Sequence, residues 1–431
     1  MDWTTEQILG LAPDQFTLRA GRGLANLQKW IALHQEETII WGIHPIGRKK
    51  TGETAVYLPT FTTICTCNSK KSPCRHSLAL LQLWQEQPIK FTSQLKTKTI
   101  AAWAHRQILK QQPRPTKKQT FTPDMPQLMA GLHALELWLL DMVRHGLARL
   151  PERPKSYWDT MAHRLVDAQA IRLAQTVRRI AHIPKKQSDW PDLFLQEIGR
   201  LYLIVQGFHN FAQLPKTTQA DLLTAVGWLP TQLPETTTQT DQWLVLGRHQ
   251  EEIGNQNRHT TWLWGVQTKT IAQLLEQSRS QRAEGTWLPT NSTWHGTLNF
   301  APSNWPQIAS PHAQLQKSKV TAVHPTGYAS IREATQAYTK ALAANPWLPH
   351  FPMLLTQVQS KLTESGWQIE DATGTWLPLP AKFSHGWQLL AQAGGLPSLQ
   401  LFGIWNGRFL QPLALFHQNR WLDLHIWQGV K

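Results

Sequence analysis

The sequence predicts an α+β multidomain protein with three unlike regions: a hairpin-and-helix region around a cysteine cluster, an all-helical middle domain, and a mixed strand-rich C-terminal domain. Three observations predict it. All three cysteines of the 431-residue chain lie at positions 65, 67 and 74. Apolar residues recur at spacings of three and four through residues 124–235. Beyond 236 the chain changes to short Trp- and Thr-rich runs broken by Gly, Asn and Pro. At roughly 150 residues per domain, this length accommodates two or three separate cores.

The charge balance is uneven along the chain. Lys and Arg number 43 against 28 Asp and Glu, for a net charge of +15. Residues 1–120 hold 17 basic and 7 acidic residues, 121–214 hold 11 and 9, and 215–431 hold 15 and 12. Most of the excess therefore lies in the first 120 residues, which points to anionic partners there. No apolar run approaches the roughly 18 residues of a membrane span. The opening Met1-Asp2-Trp3-Thr4-Thr5-Glu6-Gln7 lacks the basic and then apolar profile of a signal peptide. A soluble cytoplasmic protein without a membrane partner is expected. Three cysteines are too few, and odd in number, for a secreted disulfide framework.

The first region, 1–110, opens with helical patterns over 13–33. Strand-like runs at 38–42 and 54–58 follow, separated by a turn-rich loop at 47–52, and predict a hairpin leading into the cysteines. There Cys65, Cys67, Cys74 and His76 form the pattern Cys-x-Cys-x6-Cys-x-His. Three soft thiolates and one imidazole make a closed tetrahedral ligand set for one structural Zn2+. The spacing constrains the backbone. Residues i and i+2 of a strand leave the same face with Cα atoms roughly 6.6 Å apart, whereas two sulfurs on one zinc are only ~3.8 Å apart. The strand must therefore curl after Cys67, which Asn68-Ser69 permits. In a regular helix, residues i and i+2 point to nearly opposite sides. Cys74 is accordingly expected at a turn after Pro73, with His76 in the first turn of a helix running through Leu78, Leu81 and Trp84. Three thiolates and a divalent ion leave one negative charge, which Lys70, Lys71 and Arg75 offset. The finger proper is placed at about residues 38–90.

Residues 87–123 contain no acid but include Lys90, Lys96, Lys98, Arg106, Lys110, Arg114, Lys117 and Lys118. The part from 111 to 123, with Pro113 and Pro115, reads as a basic linker. Arg48, Lys49, Lys50, Lys70, Lys71, Arg75, Lys96, Lys98, Lys117 and Lys118 are the candidate contacts for nucleic acid or an acidic partner. The plainer alternative is a solvated face and a flexible tether. Trp103, three residues before Arg106, either stacks a base or anchors a helix.

In the middle domain, 124–235, one stripe runs through Leu132, Leu135, Leu139, Met142 or Val143, and Leu147. A second runs through Trp158, Met161, Leu165, Ala168 and Ile171. A third helix is expected over 191–208. In the last domain, 236–431, Asn406-Gly407 signals a two-residue hairpin turn, and a helix is expected over 331–344. Trp-Leu-Pro recurs at Trp228, Trp287, Trp347 and Trp376, a possible trace of duplication. The 22 tryptophans, scattered through the proposed strands, point to core packing more than to a stacking surface.

The cysteine pattern resembles the SWIM zinc finger, Cys-x-Cys-x(n)-Cys-x-His, at all four ligand positions. Ala12-Pro13-Asp14, Gly21-Arg22-Gly23-Leu24-Ala25, Trp30, Trp41-Gly42 and Pro73-Cys74-Arg75-His76 are similar to a bacterial family of stand-alone SWIM-finger proteins. Gly146-Leu147-Ala148, Trp158 and Arg164-Leu165-Val166-Asp167-Ala168-Gln169-Ala170 resemble its helical middle region. Asn68 departs from the proline expected after the second cysteine, which affects loop stiffness and not ligation. The resemblance implies a finger that binds DNA or proteins, encoded beside MoxR-type ATPases and von Willebrand A-type proteins. No enzyme is expected: the chain has no Gly-x-x-x-x-Gly-Lys-Ser/Thr loop, no Gly-x-Ser-x-Gly elbow and no His-Glu-x-x-His. Three readings follow. The first is a non-enzymatic adaptor or regulator with a protein partner. The second is a DNA- or RNA-binding protein using the finger and its basic flank. The third, a metal-dependent hydrolase, needs converging carboxylates, and Glu36-Glu37, Glu251-Glu252 and Glu370-Asp371 are isolated pairs.

Overall fold

A computed structural model describes residues 8, 11–46, 50–59, 61–69, 71–94, 96–111, 124–185, 190–228, 237–253, 256–278, 288–318, 324–380, 398–417 and 420–424. Its fold class is the one expected: mixed α and β, with a helical middle and a strand-rich C-terminal part.

The N-terminal module begins with helix α1 (Gln15–Leu24), whose first turn is capped by Asp14 accepting the Thr17 N–H at 2.8 Å. Strands β1 (Ala32–Glu36), β2 (Ile39–Ile46), β3 (Lys50–Tyr57) and β4 (Thr62–Cys65) form an antiparallel meander in chain order. The expected hairpin is thus the centre of a four-stranded sheet. The helical reading of 13–33 holds for α1 and a single 3-10 turn at Leu27–Lys29, and ends where the backbone pairs with β2 from Ala32 onward, Ala32 opposite Ile43. Trp30 packs against Gly42, where a Cβ would come within 2.7 Å of the indole. Helix α2 (Arg75–Glu86) buries Leu78, Ala79, Leu80, Leu81 and Leu83 in the same core as Leu33, Ile40 and Val56. Helix α3 (Lys98–Gln111) sets Ile100, Trp103 and Ala104 against Ile39, Trp41, Ala55 and Tyr57. Trp103 is therefore a fully buried anchor, which removes the base-stacking reading.

Among the described residues five α-helices follow: α4 (Met125–Arg144), α5 (Lys155–Asp167), α6 (Ile171–Ile180), α7 (Trp190–His209) and α8 (Lys216–Val226). Leu132, Leu135, Leu139 and Met142 of α4 and Trp158, Met161 and Leu165 of α5 are buried as the stripes require. Of the alternatives Met142 and Val143, Met142 takes the inward seat and Val143 is 53% exposed. One stripe position differs: Ile171 is 53% exposed because it starts α6 after a turn. Helices α6 and α8 were not expected separately. Gly131 admits the close approach of Ala168, whose Cβ occupies the space a side chain would need.

Among the described residues, the C-terminal part contains two six-stranded sheets. Strands β5 (Thr237–Ile253), β6 (Gln256–Gly265), β7 (Ile271–Ser278), β8 (Thr293–Phe300), β9 (Ile308–Pro311) and β10 (Gln316–Lys317) run in the order β10-β8-β5-β6-β7-β9. β9 pairs with β8 as well as β7, so β5 to β9 close into a barrel whose β7–β9 contact is parallel and whose other contacts are antiparallel. A long bulged first strand and this ring order are the connectivity of the OB barrel. Barrel-interior residues Trp243, Val245, Leu263, Trp294 and Phe300 belong to one continuous buried cluster with the N-terminal module. The second sheet, β11 (Phe351–Thr363), β12 (Gly366–Asp371), β13 (Trp376–Pro378), β14 (Leu399–Trp405), β15 (Leu410–His417) and β16 (Arg420–Asp423), has the order β13-β12-β11-β14-β15-β16. Helix α9 (Ile331–Ala344) has the expected bounds and packs Ile331, Ala334 and Ala341 on that sheet.

The sheet and barrel meet through Leu244, Leu246, Trp262 and Trp264 against Phe402, Ile404, Leu413 and Trp421. A buried Arg248–Asp423 ion pair at 2.9 Å crosses the same seam. Tryptophans 243, 262 and 294 are fully buried, in keeping with core packing. The turn between β14 and β15 spans four residues, not two, since Trp405 pairs with Leu410. The Asn406 side-chain oxygen accepts the Arg408 and Phe409 N–H groups, and only Gly407 takes a positive φ. The Trp-Leu-Pro sites do not share one setting: Trp228 and Trp347 both pack on the helical bundle, while Trp376 is 52% exposed on β13. Trp287 lies outside the described residues.

Candidate metal centre

Four ligand atoms converge where β4 ends and α2 begins. Cys65 is the last residue of β4 and sits directly opposite Thr54. The chain then bends, and the Cys67 N–H points at the Cys65 sulfur from 3.4 Å. Cys74 is the N-cap of α2 and His76 its second residue, so one comes from a turn and the other from a first helical turn. This resolves the geometric conflict of an i, i+2 pair. The sulfurs of Cys65, Cys67 and Cys74 and a ring nitrogen of His76 all lie within 4.8 Å of one another. Cys65 Sγ and His76 Nδ1 are 3.7 Å apart, against roughly 3.6 Å for a thiolate and an imidazole on one tetrahedral zinc. The donor set and spacing fit a metal ion, with all four positions supplied by the protein.

The surroundings suit a cation. Burial disfavours the charged form of His76, but the hydrogen bonds and charges of Cys67 and Cys74 outweigh it and push its pKa up to about 9. Hydrogen bonds from Cys65 and Cys74 hold the Cys67 thiol far below its usual range, against burial. Hydrogen bonding with Cys67 and Cys74, with burial, pushes the Cys65 thiol far up. Cys65, Cys67 and His76 thus compete for protons in a confined space, a competition that a divalent ion binding the donors relieves. Outer contacts orient the ligands: the Thr54 hydroxyl is 3.0 Å from Cys65 Sγ, and the Ser77 hydroxyl 3.4 Å from Cys74 Sγ.

His44 is the residue that sequence reasoning missed. Its ring stacks on His76 at 3.9 Å and 11°, its Nε2 is 3.0 Å from the Thr54 hydroxyl, and it is buried. Burial, with the charge of His76, pushes its pKa down to about 4. A neutral imidazole therefore backs the ligand one. A lone histidine in a strand carries no such signal. It emerges only from the β2–β3 register, in which His44 faces Gly52 and a Cβ there would come within 2.8 Å of the His44 ring.

The basic candidates divide. Lys71 is paired to Asp14 at 2.6 Å and Lys96 to Glu36 at 2.7 Å. Lys50, Arg75 and Lys98 are exposed. Arg48, Lys49, Lys70, Lys117 and Lys118 lie outside the described residues, as does the linker from 112 to 123. Among the described residues, no helix is long and apolar enough to cross a membrane.

Residues 125–226 match the family described as the SWIM-associated four-helix bundle domain. The match covers α4 to α8 and stops short of the cysteine cluster. Comparison with curated proteins and with solved structures finds no match to the chain.

Proposed function

We propose that the protein is a SWIM-type zinc protein that works as a non-enzymatic adaptor or regulator. The observation that carries the reading is the pairing of a Cys3His cluster, closed by four protein ligands, with a SWIM-associated helical domain 49 residues further on, from His76 to Met125. The ion is structural: it fastens the end of β4 to the start of α2, and the module so formed shares its core with the barrel. The four ligands and the helical domain support a docking role more than a catalytic one. The partner is a protein, and the resemblance to stand-alone SWIM proteins favours a MoxR-type ATPase system.

Nucleic-acid binding is the second reading, and the acid-free stretch 87–123 with exposed Lys98 favours it. The pairing of Lys71 and Lys96 with carboxylates weighs against it, because paired lysines offer less to phosphate. A pull-down from native lysate with and without nuclease distinguishes them. A specific protein retained after nuclease supports the adaptor. Recovery of nucleic acid alone, with submicromolar affinity for DNA near 0.15 M salt that is lost on deleting residues 1–120, rejects it.

A further inference from the structure

Three side chains line up across the sheet beside the cysteine cluster, and only the last of them is a ligand. His44 of β2, Thr54 of β3 and Cys65 of β4 lie on one face of adjacent strands: Thr54 pairs with Cys65, and His44 pairs with Gly52, two residues before Thr54. His44 Nε2 is 3.0 Å from Thr54 Oγ1, and Thr54 Oγ1 is 3.0 Å from Cys65 Sγ. Nε2 itself is 3.8 Å from Cys65 Sγ, so the hydroxyl is the closer partner of both. Thr54 is fully buried and His44 is 3% exposed, which leaves water little access to either polar group.

The imidazole is held in that orientation from several sides. Its ring stacks on His76 at 3.9 Å and meets Trp30 edge-on at 5.4 Å and 74°. The Trp30 indole is itself fixed by donating to the Leu24 carbonyl at 3.0 Å. Gly52 leaves the ring its space, since a Cβ there would come within 2.8 Å of it. His44 stays outside the ligand set: among the described residues, the donor atoms that converge within 4.8 Å of one another are those of Cys65, Cys67, Cys74 and His76.

The Thr54 hydroxyl has one proton and two neighbours able to take it. An anionic thiolate is the stronger acceptor, because hydrogen bonds to ionised groups are roughly twice as strong as those between neutral ones. With that proton on Cys65, the Thr54 oxygen accepts, and His44 serves it through Nε2–H. His44 Nδ1 is buried without a hydrogen-bond partner, so no such contact draws the ring proton to the other nitrogen.

We propose that His44 is a positioning residue for the metal: its Nε2–H donates to Thr54, which turns the Thr54 hydroxyl onto Cys65 and presents that sulfur to the ion already oriented. The inference rests on the zinc reading of the cluster. Groups that hold a ligand in place in this way are worth roughly 10–100-fold in metal affinity.

Zinc affinity of the full-length protein, read by competition with a chromophoric chelator, tests the relay in a double-mutant cycle. His44→Phe keeps a stacking ring without the donor, and Thr54→Val keeps the shape without the hydroxyl. Each alone should weaken zinc binding about tenfold or more, and the double variant no more than either alone, since both cut one chain. His44→Gln, whose amide nitrogen can take the place of Nε2, should recover most of the loss. In cobalt-loaded protein, His44→Phe and Thr54→Val should move the sulfur-to-cobalt charge-transfer band to lower energy, a shift that lost packing without a lost hydrogen bond would not give. Circular dichroism confirms each fold, and should His44→Phe not fold, Thr54→Val and the cobalt band carry the test. Unchanged affinity in folded His44→Phe, additive losses in the double variant, or a cobalt band that Thr54→Val leaves in place overturns the relay while the four-ligand site stands. Failure of the unaltered protein to bind zinc or cobalt overturns both.

Discussion

The cysteine module and the helical bundle are two solutions to holding a chain segment in place. The bundle buries a long set of apolar side chains from every one of its helices, from Leu128 to Val226, and each helix finds its own stripe. The segment from Thr62 to His76 has little of that: Cys65 and Cys67 are half-buried, and beyond β4 the path to α2 is a series of bends. Four polar ligand atoms meet there instead of a core. Distributed apolar burial therefore fails gradually and by volume, whereas a four-point junction is gained or lost whole.

Removing the junction is the largest perturbation that separates the two regions. Structural zinc contributes on the order of 10–16 kcal/mol of apparent binding free energy in finger peptides. Chelation should therefore release amide protection from about Thr62 through the first turns of α2, and leave α4 to α8 protected. Loss of protection through 125–226 on chelation, read by hydrogen exchange, would erase the contrast.

The converse perturbation is in the bundle. Phe194→Ala removes a fully buried ring that packs edge-on against Trp158 at 6.0 Å, and should cost about 3–5 kcal/mol. Calorimetry should show a lowered Tm, while the metal content of the folded protein is unchanged.

Proton competition sharpens the difference further. In the metal-free protein His76 has a pKa raised from its ordinary 6.5 to about 9. Its protonated form stabilises the apo module below pH ~6.5, and that contribution is lost as pH rises through 9. Metal must displace that proton, so zinc affinity should climb with pH over the same window, about tenfold per unit for each proton released. Competition titrations with a chromophoric chelator that show flat affinity from pH 6.5 to 9 would contradict the assignment of His76 as a ligand.

The smallest expected effect comes from the surface of the same module. Lys71→Ala breaks the half-exposed pair with Asp14 and should change stability by no more than about 1 kcal/mol in urea denaturation. A larger loss would mean that the α1–loop contact supports the junction.

Legibility follows the same division. Stripes of Leu, Met and Trp at helical spacing placed α4, α5 and α7 because each carries its own periodic signal. α6 has such a stripe in Leu173, Ala174, Val177 and Ile180, but it begins only four residues after α5 ends and reads as a continuation. The ligand quartet was legible from residue type and spacing alone, since few arrangements let Cys74 and His76 share one ion. His44 was not, because its role depends on a strand register that places it against Thr54 and His76. The barrel was invisible for a related reason. Its ring order depends on a parallel contact between β7 and β9 over only two residue pairs, Gln273 with Ile308 and Leu274 with Ala309. Trp262 and Trp264 were legible as buried but not as the seam between barrel and sheet.

The central claim, that one ion organises this junction, is tested most directly by elemental analysis of the mildly purified full-length protein beside its Cys65→Ser/Cys74→Ser variant. One zinc per chain is expected in the first and almost none in the second. Well under one zinc per chain in the unaltered protein, or an undiminished zinc content in the double variant, would contradict it.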